Sequence, residues 1–205
     1  MTDMFEDELI VPKMFDDIDL FKADLVIPCK DLKDPSDIYE IMKKINARDY
    51  AYTVSYNTGA IVNPVVKIGM SSPRKDRKNN VMGERLVRQI AHLEGWNSKT
   101  FSANGSDLAM NLRVAIDQGI VPKKSINRNN IIICIWNLAF RMCTSEATTY
   151  EQTSWIEGEL CRLHKKHFEQ LPPLNIVDPS EAENFKKGRI PSEIVRPVTG
   201  LFTFE

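Results

Sequence analysis

The segment Ile131 to Trp136, Ile-Ile-Ile-Cys-Ile-Trp, constrains this chain more than any other feature of it. A continuous apolar run rich in β-branched residues fits a strand buried on both faces better than a short helix. It is also far too short to cross a bilayer, so it is expected to lie at the centre of a sheet covered by other elements. No membrane is expected as a partner.

Two further β-like runs precede it. Tyr50 to Tyr56, Tyr-Ala-Tyr-Thr-Val-Ser-Tyr, and Asn63 to Met70 are joined through Asn57, Thr58 and Gly59, which predicts an antiparallel hairpin. In its second strand Val66 and Ile68 point one way, and Val65, Lys67 and Gly69 the other, because side chains alternate faces. Lys67 therefore need not enter the core.

Helical spacing fills the rest. Asp34 as N-cap and Pro35 in the first turn open a helix whose stripe is Ile38, Ile41, Met42 and Ile45. A second helix is expected from about Val81 to Glu94, with Met82, Leu86, Ile90 and Leu93 inward and Arg85, Arg88, Gln89 and His92 on the opposite face. A third is expected from Ser106 to Gly119. A long fourth runs from about Tyr150 to Phe168, burying Trp155, Ile156, Leu160 and Leu163, and stops before Leu-Pro-Pro-Leu-Asn. The expected class is α+β, a small three-stranded antiparallel sheet flanked by helices, within 205 residues that need only one domain. Residues 1–33 read as acidic and irregular, either an arm across the body or a mobile segment.

The acidic N-terminal stretch lacks the positive start of an export signal, so the expected location is cytoplasmic. Cys29, Cys134, Cys143 and Cys161 show no metal-ligand spacing and read as reduced core or near-core residues. A net charge of −1 argues against bulk electrostatic binding of nucleic acid, so local patches must do that work. The basic loop Arg74, Lys75, Arg77 and Lys78 is the best such patch, with a solvated loop as its plainer reading.

Tyr50, Tyr52, Lys67, the Arg85/Arg88 face, Glu157 and Asn175 are the polar residues set beside these elements. Together a phenol, a lysine, an arginine and a carboxylate suit phosphodiester hydrolysis. The carboxylate holds a divalent cation, the arginine binds the scissile phosphate, and phenol or lysine helps activate water. Singly, each is more often packing or solvated surface.

Their order along the chain resembles the GIY-YIG nuclease superfamily, over roughly Asp49 to Ile176. Tyr50-Ala51-Tyr52 matches the first motif, Lys67-Ile68-Gly69 the second, the helix Gly-Glu-Arg-Leu-Val-Arg-Gln-Ile-Ala-His-Leu supplies the arginine, and Trp155 to Asn175 the glutamate and asparagine. The resemblance divides the chain into an N-terminal arm and helix, 1–48, a catalytic domain, 49–176, and a C-terminal tail packed on it, 177–205. It implies that Tyr52 activates or positions water, that Gly69 admits the substrate closely, that Glu157 rather than Glu159 binds metal, and that Asn175 closes the site. Lys67 replaces the second motif's tyrosine, as in some restriction-enzyme members. Arg85 is preferred as the phosphate-binding arginine, although Arg88 followed by His92 keeps the family's Arg-x-x-x-His spacing.

The implied function is a restriction or phage-type DNA endonuclease using Mg2+, with Mn2+ as substitute, and DNA contacts through Arg74, Lys75, Arg77, Lys78, His92 and Lys165. A homodimer as a way to place two sites on a duplex stays open. The alternative is a catalytically silent nucleic-acid-binding or protein-interaction module of the same fold. His164 and His167, without a third ligand, read as surface residues or DNA contacts.

Overall fold

The structure is a computed structural model that describes residues 23–56, 65–73, 82–94, 128–140, 147–175, 177–183 and 185. The basic loop Arg74, Lys75, Arg77 and Lys78, the loop Asn57 to Gly59, the helix expected over 106–119, Cys143 and the tail beyond residue 185 lie outside the described residues. So does the side chain of His92.

The protein is α+β, built on one antiparallel sheet. β1 is Leu25–Pro28, β2 Tyr50–Tyr56, β3 Val65–Ser71 and β4 Ile131–Asn137, in the spatial order β1-β4-β2-β3. The sheet thus has four strands, not the three expected from the sequence. The additional strand comes from the arm that read as irregular. Leu-Val-Ile-Pro is too short to declare itself, and becomes a strand by pairing with β4, Leu25 opposite Ile135 and Pro28 opposite Ile132. Pro28 is tolerated because this is an edge strand.

The apolar run Ile131–Asn137 lies inside the sheet, hydrogen-bonded to β1 on one side and β2 on the other. Both of its faces are covered. Ile131, Ile133 and Ile135 join Tyr50, Tyr52 and Val54 in a core with Ile38, Met42, Leu86 and Ile90 from α1 (Asp37–Lys44) and α2 (Glu84–Glu94). Cys134 and Trp136 join Ala51 and Ile68 in a second core with Trp155, Ile156, Leu160 and Leu163 from α3 (Thr149–Phe168). The sheet is therefore a middle layer, with α1 and α2 on one side and α3 on the other.

α1 starts later than expected. Asp34 is not its N-cap: its carboxylate accepts from the Ser36 N–H at 2.8 Å, and Asp37 accepts from the N–H groups of Lys33 and Asp34, so the helix proper begins at Asp37. α3 opens on a capping box, in which Thr148 Oγ1 accepts from Glu151 N at 3.3 Å and Glu151 Oε2 from Thr148 N at 2.9 Å. It closes at Glu169, whose positive φ of 61° ends the hydrogen-bond ladder. No helix among the described residues is long and apolar enough to cross a membrane. Cys29, Cys134 and Cys161 are buried.

Candidate functional site

Antiparallel register sets Tyr52 opposite Gly69 and Val54 opposite Lys67. These side chains share the face on which α1 and α2 pack, so Arg85, in the first turn of α2, can reach the Tyr52 ring. Gly69 is needed here for a reason internal to the protein. A Cβ at that position would lie 2.5 Å from Tyr52 Oη and 2.6 Å from Cζ, so the phenol occupies the space a side chain would take. The close approach that the resemblance assigns to substrate is made by Tyr52.

Four ionisable groups from four elements act on one another. Glu157, on α3, is largely withdrawn from water; burial pushes its carboxyl up to about 7, while the Arg85 and Lys67 charges work against that rise. Tyr52 is wholly buried, which raises its phenol, and Arg85 and Glu157 act on it with opposite signs. Burial pulls Arg85 down, but Tyr52 and Glu157 together hold it above its ordinary value. Arg85 is nevertheless exposed over part of its length, unlike Tyr52. Tyr50 belongs to the same group: burial raises its phenol, and its ring centroid is 6.2 Å from that of Tyr52.

Neither phenol hydroxyl has a hydrogen-bond partner of good geometry, and both are sealed from solvent. Arg85 acts on Tyr52 chiefly through its charge, with a smaller contribution from a loosely aligned side-chain contact. Each phenol nonetheless has a polar neighbour that acts on it, Arg85 for Tyr52 and Ser71 for Tyr50.

The outer edge of β3 is closed by the segment after α3. Leu174 N donates to Val66 O at 2.9 Å, and the Asn175 amide bonds both backbone groups of Ile68. Lys67 Nζ donates to Leu174 O at 3.0 Å, which steadies its ammonium on the same edge. Sequence reasoning missed the Leu174 carbonyl, since any residue type supplies one. It also missed Cys161, one turn beyond Glu157, whose thiol is pushed up by burial and by the Glu157 charge and lies 4.0 Å from Asn175 Nδ2.

The other expected residues lie elsewhere. Arg88 is exposed and ion-paired with Glu84 on its own helix, and no interaction joins it to the Glu157 group. Lys165 pairs with Asp178 at 2.5 Å and Glu181 at 3.7 Å. Glu159 pairs with Arg162 at 2.6 Å. His164 is buried, its Nδ1 2.7 Å from Gln170 O, rather than on the surface as expected; it closes the C-terminal end of α3.

Among the described residues no three His, Cys, Asp or Glu side chains stand together as a metal cage. Glu157 offers one carboxylate. That donor chemistry suits a hard cation such as Mg2+, which binds through one or two carboxylates and completes its shell with water and substrate phosphate oxygens. It does not suit a closed, all-protein site. Comparison of the chain with family models, curated proteins and solved structures gives no match.

Proposed function

We propose that the protein is a divalent-metal-dependent DNA endonuclease that hydrolyses phosphodiester bonds with water, of restriction or phage type. The observation that carries this reading is the mutual electrostatic influence of Arg85, Lys67 and Tyr52 with Glu157, one half-buried carboxylate beside two cations and a phenol. In this mechanism Arg85 and Lys67 bind non-bridging phosphate oxygens and oppose the charge that grows there during attack. Glu157 would hold Mg2+, with Mn2+ as substitute, and the bound ion would supply Lewis-acid polarisation of the phosphate. Near neutral pH the Glu157 carboxyl is about half ionised, so proton release accompanies its use as a ligand. Water attacks phosphorus, the P–O bond to the leaving oxygen breaks, and Tyr52 with Lys67 flanks the nucleophile. Since the Tyr52 hydroxyl is sealed from solvent, Tyr52 acts on water only after substrate displaces the groups over it.

That same sealing favours a second reading, a catalytically silent nucleic-acid-binding or interaction module. The experiment is incubation of supercoiled and linear DNA with Mg2+, with Mn2+ and with chelator, beside Glu157→Ala. Metal-dependent fragments lost in the variant support the nuclease. Salt-sensitive binding without cleavage supports the silent module, because phosphate contacts weaken as salt rises.

A further inference from the structure

We infer that Lys43, Lys44 and Arg48, at the junction of α1 and β2, form a second phosphate-binding patch that holds the backbone of duplex DNA where it runs on beyond Arg85. The inference rests on the nucleic-acid reading above and extends it to residues outside the stretch that resembles nucleases.

The junction holds these side chains at the surface on fixed backbone. Ile38 and Met42 turn the stripe of α1 inward and Ile45 and Ala47 are buried after it, which leaves Lys43, Lys44 and Arg48 exposed. Three backbone bonds close the turn: Asn46 N to Lys43 O at 3.1 Å, Ala47 N to Met42 O at 2.9 Å, and Arg48 N to Asn46 O at 3.0 Å. Asn46 takes the left-handed conformation, with φ of 48°, that a short polar side chain tolerates. The buried Asn137 amide donates to Ile45 O at 2.9 Å and ties the turn to β4.

No carboxylate neutralises the three cations. Elsewhere Arg88, Arg162 and Lys165 each pair with one. Among the described residues the charged ends of Lys43, Lys44 and Arg48 have no ion pair or hydrogen bond, and Glu40, one turn before the lysines, pairs with neither. Asp49, the acid next to Arg48, instead accepts from Ser72 Oγ. Two lysines in the last turn suit the dipole of α1, but Arg48 lies beyond the helix, out of reach of that effect. In a chain of net charge −1, unpaired cations this close together make a local positive field.

Register places the patch at the Arg85 end of the sheet. Tyr50, at the start of β2, pairs with Ser71 at the end of β3 and with Asn137 at the end of β4. Arg48 lies two residues before Tyr50, within about 7 Å along the chain, and the Arg85 charge acts on Tyr50. A duplex carries a phosphate about every 1.7 Å of its axis. A backbone with one phosphate at Arg85 therefore presents others to Arg48 and the lysines, and this continuity favours DNA over an acidic protein as the occupant.

The test is binding of a fluorescently labelled duplex with chelator present, so that nothing is cut, read by anisotropy over a series of salt concentrations. In Lys43→Gln/Lys44→Gln/Arg48→Gln the slope of log Kd against log salt is expected to become shallower by about 2–3. Arg48→Gln alone should make it shallower by about 1, and is read in place of the triple variant if circular dichroism shows that the latter does not fold. Lys30→Gln/Lys33→Gln removes two exposed cations that follow β1 at the opposite end of the sheet, and should leave the slope as in wild type. A wild-type slope in the folded patch variant overturns the proposal, as does an equal loss in the Lys30/Lys33 pair or a wild-type protein that binds no DNA. Duplex held through the patch but left intact with Mg2+ and Mn2+ would sink the nuclease reading and leave the patch standing.

Discussion

The side-chain amide of Asn175 grips both backbone polar groups of Ile68: Oδ1 accepts from the Ile68 N–H and Nδ2 donates to its carbonyl, each at 2.9 Å. These groups face the open side of β3, the edge strand, and would otherwise meet water or another chain. Asn175 therefore does with a side chain what a fifth strand would do with its backbone, between the two residues, Lys67 and Gly69, that shape the site.

Asn175→Ala removes both bonds and is expected to cost about 1–3 kcal/mol. Asn175→Asp loses the donor and sets a carboxylate against the Ile68 carbonyl, so it should cost at least as much. Urea denaturation measures both. Hydrogen exchange at the Ile68 amide should accelerate selectively in Asn175→Ala.

Gly69→Ala forces the Tyr52 ring aside, because the new methyl would overlap its hydroxyl end. The expected loss is about 1–3 kcal/mol, as for other overpacked cores. Tyr52→Phe should not rescue it, since Cζ as well as Oη would be in contact. Tyr52→Leu, lacking the ring, should recover part of the loss in a double-mutant cycle. Full additivity would refute the steric account.

Glu157 makes stability depend on pH in an unusual direction. Its folded value near 7 lies above the ordinary 4.5, so the folded state holds its proton more tightly than the unfolded one. The resulting contribution is fully present below pH 4.5 and is lost as pH rises through 7. Unfolding free energy from this group should therefore fall between those limits by at most about 3 kcal/mol. Glu157→Gln should flatten that part of the profile, and a wild-type profile as flat as the variant's would exclude it.

The two arginines of α2 should differ in any cleavage or phosphate-binding assay. Both are exposed, but Arg85 acts on Tyr52 and Glu157 whereas Arg88 pairs with Glu84 on its own helix. Arg85→Ala is expected to lower cleavage by about 100-fold or more, the scale of losing one donor to developing charge. Arg88→Ala should stay within a few-fold of wild type. Equal losses would place the phosphate elsewhere along the helix.

What the sequence by itself determined was whatever depends on near neighbours. The apolar run of β4, the alternation in β2 and the stripes of α1, α2 and α3 each report a local period, and each element forms with bounds shifted by a few residues. In β3, by contrast, a register shift beside Val65 breaks the expected alternation: Val66 packs with Tyr52, and Ile68, expected on the same face as Val66, packs with Val65 against α3. The order of Tyr52, Lys67, Arg85 and Glu157 was legible because they sit on those elements. Tertiary structure decided the rest. Leu25–Pro28 carries no distinct period and is a strand only because β4, far along the chain, offers it a partner. Lys67 and Asn175 find Leu174 O and Ile68 across 107 positions, and backbone groups have no residue-type signature. Likewise, the sealing of Tyr52 depends on how two helices and a glycine enclose one ring, and burial is a property of the packed chain rather than of any segment of it.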